Sequence, residues 1–136
     1  MKKILLFITA LVALAACESK KETVKIEDFK WVAVEMDGET LDEAKSEDIF
    51  IQFSKADRKI SGKASCNRYF GSYELAGDKL TFSQTGATKM ACLDMKLEDT
   101  FFDILKNTDN YKMKDGKLSF RHGKTVLAVF KKTEKE

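Results

Sequence analysis

The sequence predicts an α+β fold: a strongly curved antiparallel β-sheet or partial barrel of about seven or eight strands, with one main α-helix. Three observations carry this. Short apolar alternations of period two recur along most of the chain, separated by turns containing Gly and Asp. One stretch only, residues 93–105, changes to a helical period. The 136 residues, 43% hydrophobic and without Pro, make one small domain, and 10 Phe, 3 Tyr and 1 Trp require a buried core.

The first 16 residues stand apart from that body. Lys2 and Lys3 precede an apolar run, residues 4–16, interrupted only by Thr9. As a helix this run reaches roughly 20 Å, short of a bilayer core of about 30 Å, so it reads as a secretion signal rather than a membrane span. Its end, Leu14-Ala15-Ala16-Cys17, resembles the lipobox of bacterial lipoproteins. There Cys17 becomes the mature N-terminus and takes acyl chains on its thiol and amine. The alternative is an ordinary signal peptide cut after Ala16. Two or more acyl chains hold a protein stably on a membrane surface without crossing it. Glu18 follows the cysteine where an inner-membrane retention signal would place Asp, which favours the outer membrane. Residues 17–24 read as a lipidated N-terminus and flexible tether, residues 25–132 as the domain and residues 133–136 as a charged tail.

Within the domain, residues 29–34 with Trp31 form the expected first strand, and Asp37-Gly38 turns the chain. Ile49, Ile51 and Phe53 then alternate with mixed residues. Residues 55–58 connect them to a strand at residues 59–62. Tyr73 and Leu75 make a short alternation, and Gly77-Asp78 leads into residues 79–83, where Leu80 and Phe82 share a face. Leu93, Leu97, Phe101, Ile104 and Leu105 lie on one helical stripe, with Asp94 or a close neighbour at its start and residues 107–110 as its stop. Strands resume at residues 111–113. Asp115-Gly116 suits a type I′ hairpin turn, residues 117–121 alternate, and His122-Gly123 marks another turn. Residues 126–130 are continuously apolar, as in a central strand covered on both faces.

The charge balance excludes some partners. The chain has 24 Lys+Arg and 22 Asp+Glu. Loss of Lys2 and Lys3 with the leader leaves 22 of each, a net charge of zero. The signs are interspersed, with no basic block beyond Lys131-Lys132. Nucleic acid is therefore not an expected partner.

A more specific pattern runs through Ile60-Ser61-Gly62, Cys66-Asn67-Arg68-Tyr69-Phe70-Gly71-Ser72-Tyr73 and Thr88-Lys89-Met90-Ala91-Cys92. Glu98, Phe101 and Leu105 follow, Trp31 lies upstream, and Leu127-Ala128-Val129-Phe130 closes the domain. Together these resemble the META domain family, the HslJ-like bacterial envelope lipoproteins. The resemblance implies a secreted or lipid-anchored protein with a curved sheet and a helix, linked to heat or antibiotic stress. It implies neither a catalytic activity nor an agreed ligand. Many members have Gly where this chain has Ser65, a residue type that serves a positive φ or a close approach.

With Cys17 consumed by lipid, Cys66 and Cys92 are an even pair in an exported domain, and a disulfide between them is expected. A redox or metal pair is the weaker alternative, since there is no C-x-x-C and one His cannot complete a zinc set. Two buried free thiols are a further alternative. Asn67 suits a bend. Arg68 has the planar fork for a carboxylate or phosphate, or for a helix acid such as Glu98. Thr88, Lys89 and Met90 read as loop geometry and gap filling, or as a rim facing Tyr69 and Phe70. These residues, Asn67 to Phe70 and Thr88 to Met90, form the candidate binding surface. His122 sits at a turn, distant from a paired nucleophile, and no mononucleotide, zinc-protease or EF-hand motif occurs.

The expected protein is thus not an enzyme and needs no cofactor or metal. It is a lipid-anchored envelope protein, a non-catalytic binding or scaffold module. Its partners are the membrane, through acyl chains on Cys17, and an envelope protein. The second reading is a carrier or sensor of a small apolar ligand in a lipocalin-like curved sheet.

Overall fold

The computed structural model describes residues 23–135. The expected leader, the lipidated Cys17 and residues 18–22 of the tether lie outside the described residues. A 3-10 turn (Ile26–Asp28) precedes β1 (Lys30–Met36), β2 (Glu39–Thr40) and a short α1 (Glu43–Glu47). There follow β3 (Ile49–Ser54), β4 (Lys59–Ala64), β5 (Asn67–Ala76), β6 (Lys79–Ala87) and the main helix α2 (Lys96–Asn107). The chain finishes with β7 (Asn110–Lys114), β8 (Lys117–His122) and β9 (Thr125–Thr133).

All nine strands form one antiparallel sheet in the order β2-β1-β3-β4-β5-β6-β7-β8-β9. A further pairing of β1 with β9, including Ala33 opposite Phe130, curls it into a ring. The α+β class, the curved antiparallel sheet and the single main helix therefore hold. The short β2, pairing beside β1 through Glu35 and Thr40, brings the strands to nine. Bulges between Ala33 and Glu35, Phe70 and Ser72, and Phe120 and Arg121 supply local bends that curvature demands.

Alternation places Trp31, Ile49, Ile51, Phe53, Ile60, Tyr73, Leu80, Phe120 and Phe130 inside the ring, all buried. Their rings meet edge-on or tilted, Phe53 on Tyr73 at 5.0 Å and Phe120 on Phe130 at 4.6 Å between centroids. Two elements close the ends. At the end where β1 starts, Ile26 of the 3-10 turn is buried and its carbonyl accepts the Trp31 indole N–H at 2.8 Å. At the other, α2 buries Phe101, Ile104 and Leu105 against β4, β6 and β8. α2 also bridges the weakest seam, since β6 and β7 pair only through Lys79 and Asn110.

Two expectations need correction. Residues 126–130 are not covered on both faces. β9 is central by hydrogen bonding, but only Ala128 and Phe130 are buried, Leu127 packs partly against the core and Val126 is exposed, because the outer face of a ring meets solvent. Leu93 is not on the helical stripe. α2 starts at Lys96, whose N–H is accepted by the Asp94 carboxylate at 2.9 Å, and Leu93 precedes it in the open. The stop at Asn107 is where the spacing placed it.

His122 has a structural place. Its Nδ1 lies 2.9 Å from the carbonyl of Asn107 and 3.1 Å from the Asp109 carboxylate. Asp109 also accepts the Gly123 N–H, and that bond first, then the Asn110 amide, holds its carboxyl below the usual carboxylate range.

Gly62 is the tightest point of the sheet. A Cβ there would lie 2.0 Å from the Phe50 carbonyl oxygen and 2.8 Å from the Tyr69 hydroxyl. The missing side chain lets Tyr69, directly opposite on β5, donate its hydroxyl to that carbonyl at 3.0 Å. Gly62→Ala is expected to destabilise the fold by about 3 kcal/mol through overpacking, read as a lowered urea midpoint with an unchanged slope.

Candidate functional site

The end of β4, the start of β5 and the segment from the end of β6 to Cys92 converge at the end of the ring that α2 covers. Ala64 pairs with Asn67, so Ser65-Cys66 is a two-residue hairpin loop. Ser65 takes φ 71° there, the left-handed conformation that Gly adopts without cost. Cys66 is bonded to Cys92, with 6.3 Å between Cα atoms and 26 residues of separation. A covalent loop of that length stabilises by about 3.5 kcal/mol in the chain-entropy account. It ties the hairpin to residues 88–95, which lie between β6 and α2.

Asn67, 1% exposed, is the polar hub beside the disulfide. Its backbone N–H donates to Glu98 Oε2 at 2.8 Å and its Nδ2 to Glu98 Oε1 at 2.9 Å. Its Oδ1 accepts the Met90 N–H at 2.7 Å and the Thr88 hydroxyl at 2.9 Å. Thr88 also exchanges bonds with Arg68: its Oγ1 accepts the Arg68 N–H at 3.2 Å, and its own N–H donates to the Arg68 carbonyl at 3.0 Å. Glu98, 5% exposed, is a buried carboxylate held by both donors of one asparagine. This corrects the expected partner of the helix acid, which is Asn67 rather than Arg68. An arginine at the outward position of β5 cannot reach beneath its own strand.

The candidate surface divides accordingly. Residues 67–70 are strand rather than loop, so successive side chains point to opposite faces. Asn67 and Tyr69 are buried and are not part of a surface. Tyr69 packs on Phe101 at 5.2 Å and Phe102 at 5.8 Å, and burial pushes its phenol well above its ordinary pKa. Arg68, Phe70, Thr88, Lys89 and Met90 do face outward. Phe70 is 64% exposed, Met90 58% and Leu93 111%. Phe70 is nonetheless held flat: its ring lies over Gly86 on β6, where a Cβ would come within 2.9 Å of Phe70 Cζ. Beside this strip lie a hollow of about 340 Å³ at Thr88, Met90, Met95 and Glu98, and a groove of about 420 Å³ between β6 and α2 lined by Phe82, Gln84, Phe102 and Lys106.

The META domain model matches residues 24–134. The chain belongs to the META domain family. Residues 1–17 match the prokaryotic membrane lipoprotein lipid attachment site, so this META protein is a lipid-anchored protein of the cell envelope. Among the described residues, no helix is long and apolar enough to cross a membrane. No curated protein sequence matches it. A Burkholderia xenovorans protein solved by NMR is similar over 81% of this chain and 85% of its own, with 26% identity and a TM-score of 0.64. A DUF4847 family protein from Bacteroides vulgatus shares the fold, with 16% identity, a TM-score of 0.62 and coverage of 82% of this chain and 96% of its own. No catalytic family is indicated by these relatives.

Leu93 and the buried role of Glu98 are what sequence reasoning missed. The signal for Glu98 was present: it stands three and seven residues before Phe101 and Leu105, on the buried side of the helix, where an acid needs a partner.

Two substitutions test this account. Asn67→Ala leaves the buried Glu98 carboxylate with the backbone N–H alone and strips Met90 N–H and the Thr88 hydroxyl of their shared acceptor, and is expected to cost about 3 kcal/mol, whereas Arg68→Ala shifts stability by less than about 0.5 kcal/mol; urea unfolding distinguishes them. Ser65→Gly relieves the left-handed strain and is expected to raise stability by about 0.5 kcal/mol net of the greater freedom of the unfolded chain, read as a higher urea midpoint.

Proposed function

We propose that this META protein is a non-catalytic binding module of the envelope that recognises a protein partner through the strip of Phe70, Arg68, Met90 and Leu93. One observation carries the reading: large apolar side chains stand exposed on backbone that a disulfide and the Asn67 hub hold rigid. Exposed aromatic, Met and Arg side chains in a fixed arrangement are the composition of interface anchors, and rigidity lowers the entropy cost of docking. Arg68 adds a planar fork without a carboxylate of its own among the described residues. Thr88 and Lys89 contribute the polar rim.

A carrier of a small apolar ligand would need room inside the ring. That space is taken by Trp31, Phe53, Tyr73, Phe120 and Phe130, which supports recognition on the outer face instead. The resemblance to heat- and antibiotic-stress lipoproteins suggests that the partner belongs to envelope maintenance, and Glu18 after Cys17 points to the outer membrane as its place.

Crosslinking in cells, with the mature lipoprotein as bait, tests the proposal. Phe70→Ala with Met90→Ala is expected to weaken recovery of the specific partner by an amount typical of two interface anchors, about 2 kcal/mol or more, while the purified variant unfolds at an unchanged urea midpoint. An undiminished set of crosslinked partners in that folded variant, and in Arg68→Ala, rejects the surface.

A further inference from the structure

The sequence order hides a segregation of charge that the sheet creates. Residues 111–132 carry seven basic residues and one acid, Asp115, whereas residues 37–48 carry six acids and one base, Lys45. The first group lies on β7, β8 and β9 and the hairpin between the last two; Lys112, Lys114, Lys117, Lys131 and Lys132 gather toward the end of the ring where β1 begins, while Arg121 and Lys124 lie at the other end. The second lies on the turn after β1, on β2 and around α1, toward the end covered by α2. The charges that look interspersed in the sequence thus leave a row of lysines at one pole and the acids of residues 37–48 toward the other.

Register makes the basic pole dense. Lys114 stands directly opposite Lys117, and Lys117 directly opposite Lys131. Lys112 is two residues before Lys114 on the same exposed face, and Lys132 stands at the rim beside Gly116 and over the Phe29 ring at 5.0 Å. Among the described residues, none of these lysines forms an ion pair within 4.0 Å. Like charges facing each other across a ladder are destabilising, so the row costs stability that no internal contact returns. The hairpins on the other side of this pole carry both signs, Lys55, Asp57 and Arg58 on one and Asp78 and Lys79 on the other.

The tether enters at this same pole. Thr23 and Val24 line a hollow of about 390 Å³ together with Lys114, Lys117 and Lys132. From Cys17 to Thr23 the chain spans six residues, which reach at most about 20 Å when fully extended. The acyl chains therefore hold the base of this pole within about 20 Å of the membrane, two to three Debye lengths at physiological salt. Within the tether itself Glu18 and Glu22 balance Lys20 and Lys21, so the lysine row is the net charge that the surface meets.

We propose that the row of Lys112, Lys114, Lys117 and Lys131, with Lys132 at its rim, docks on anionic lipid headgroups of the membrane in which the protein is anchored. The acyl chains supply attachment, and the lysine row supplies orientation. The acidic pole and the strip of Phe70, Arg68 and Met90 then face away from the bilayer. The docking rests on the anchor and the charge pattern, and stands whether or not that strip binds a protein.

Lysine reactivity of the mature lipidated protein in vesicles tests it. The protein is placed in phosphatidylcholine vesicles and in vesicles of equal phosphatidylcholine and phosphatidylglycerol. Amine acetylation is then followed residue by residue by peptide mass spectrometry, with Lys45, Lys96 and Lys106 as references at the far pole. Slower acetylation of Lys112, Lys114, Lys117 and Lys131 in the anionic vesicles only, relieved by high salt, is the expected result. In the triple variant K114Q/K117Q/K131Q, each lost charge is expected to weaken the docked state about fivefold, so that Lys112 and Lys132 lose their protection. Equal acetylation in both vesicle types overturns the proposal. Protection that is as strong in phosphatidylcholine, or that survives high salt, overturns its electrostatic basis.

Discussion

The pairing of β1 with β9 is the constraint on which the rest of the molecule depends. It joins the first strand to the last, and the Thr133 hydroxyl donates to the Lys30 carbonyl across 103 residues of sequence. Closing the sheet forces every strand between them to curve and gives the alternation one inside. A slip of one residue in that seam would put Trp31 and Phe130 on opposite faces of the sheet, so that one of them would turn outward. The ring also explains the helix. Eight strands meet around it, but β6 and β7 barely pair, and α2 fills the gap with Phe101, Ile104 and Leu105.

Asn67 performs a second kind of closure. Residues 88–95 belong to no helix or strand, yet their backbone and side chains are fastened to the start of β5 and to α2 through one amide. An asparagine can do this because its side-chain amide offers two donors and two acceptor sites in one plane; here Nδ2 donates to the Glu98 carboxylate and to the Met90 carbonyl, and Oδ1 accepts from the loop. The disulfide restricts the same segment covalently one residue away. The outcome is an irregular stretch fastened at Thr88, Met90 and Cys92, with the apolar side chains of Phe70 and Met90 left over for other uses.

Much of this was legible in the residues. Period-two alternation gave the strands, Asp115-Gly116 adopts φ values of 53° and 73° as its hairpin turn needs, and the family's preference for glycine at position 65 matches a left-handed backbone. The cysteine pair could be read from compartment and parity. What stayed hidden depends on lateral register, which a linear sequence does not display. Arg68 and Asn67 are neighbours in the chain, and only the pleat decides which of them meets Glu98. Lys114, Lys117 and Lys131 look scattered until three strands align them. β9 reads as doubly covered because Val126 and Val129 are apolar, although a ring has solvent outside. The 3-10 turn and α1 are too short to show a period; α1 is set by Asp42, which accepts the Lys45 N–H at 2.9 Å, and by the buried Ser46 hydroxyl donating to the Ala33 carbonyl.

The entry of the tether at the start of β1 has a mechanical consequence. β1 runs from the anchored pole to the opposite one, flanked by β3 and β9. Tension between the bilayer and anything attached at the far end is therefore directed along the strand, parallel to its axis. Loaded in that direction, the rungs on both sides of β1 share the force at once instead of parting one after another like a zip. A body anchored in this way resists being pulled from the membrane by unravelling.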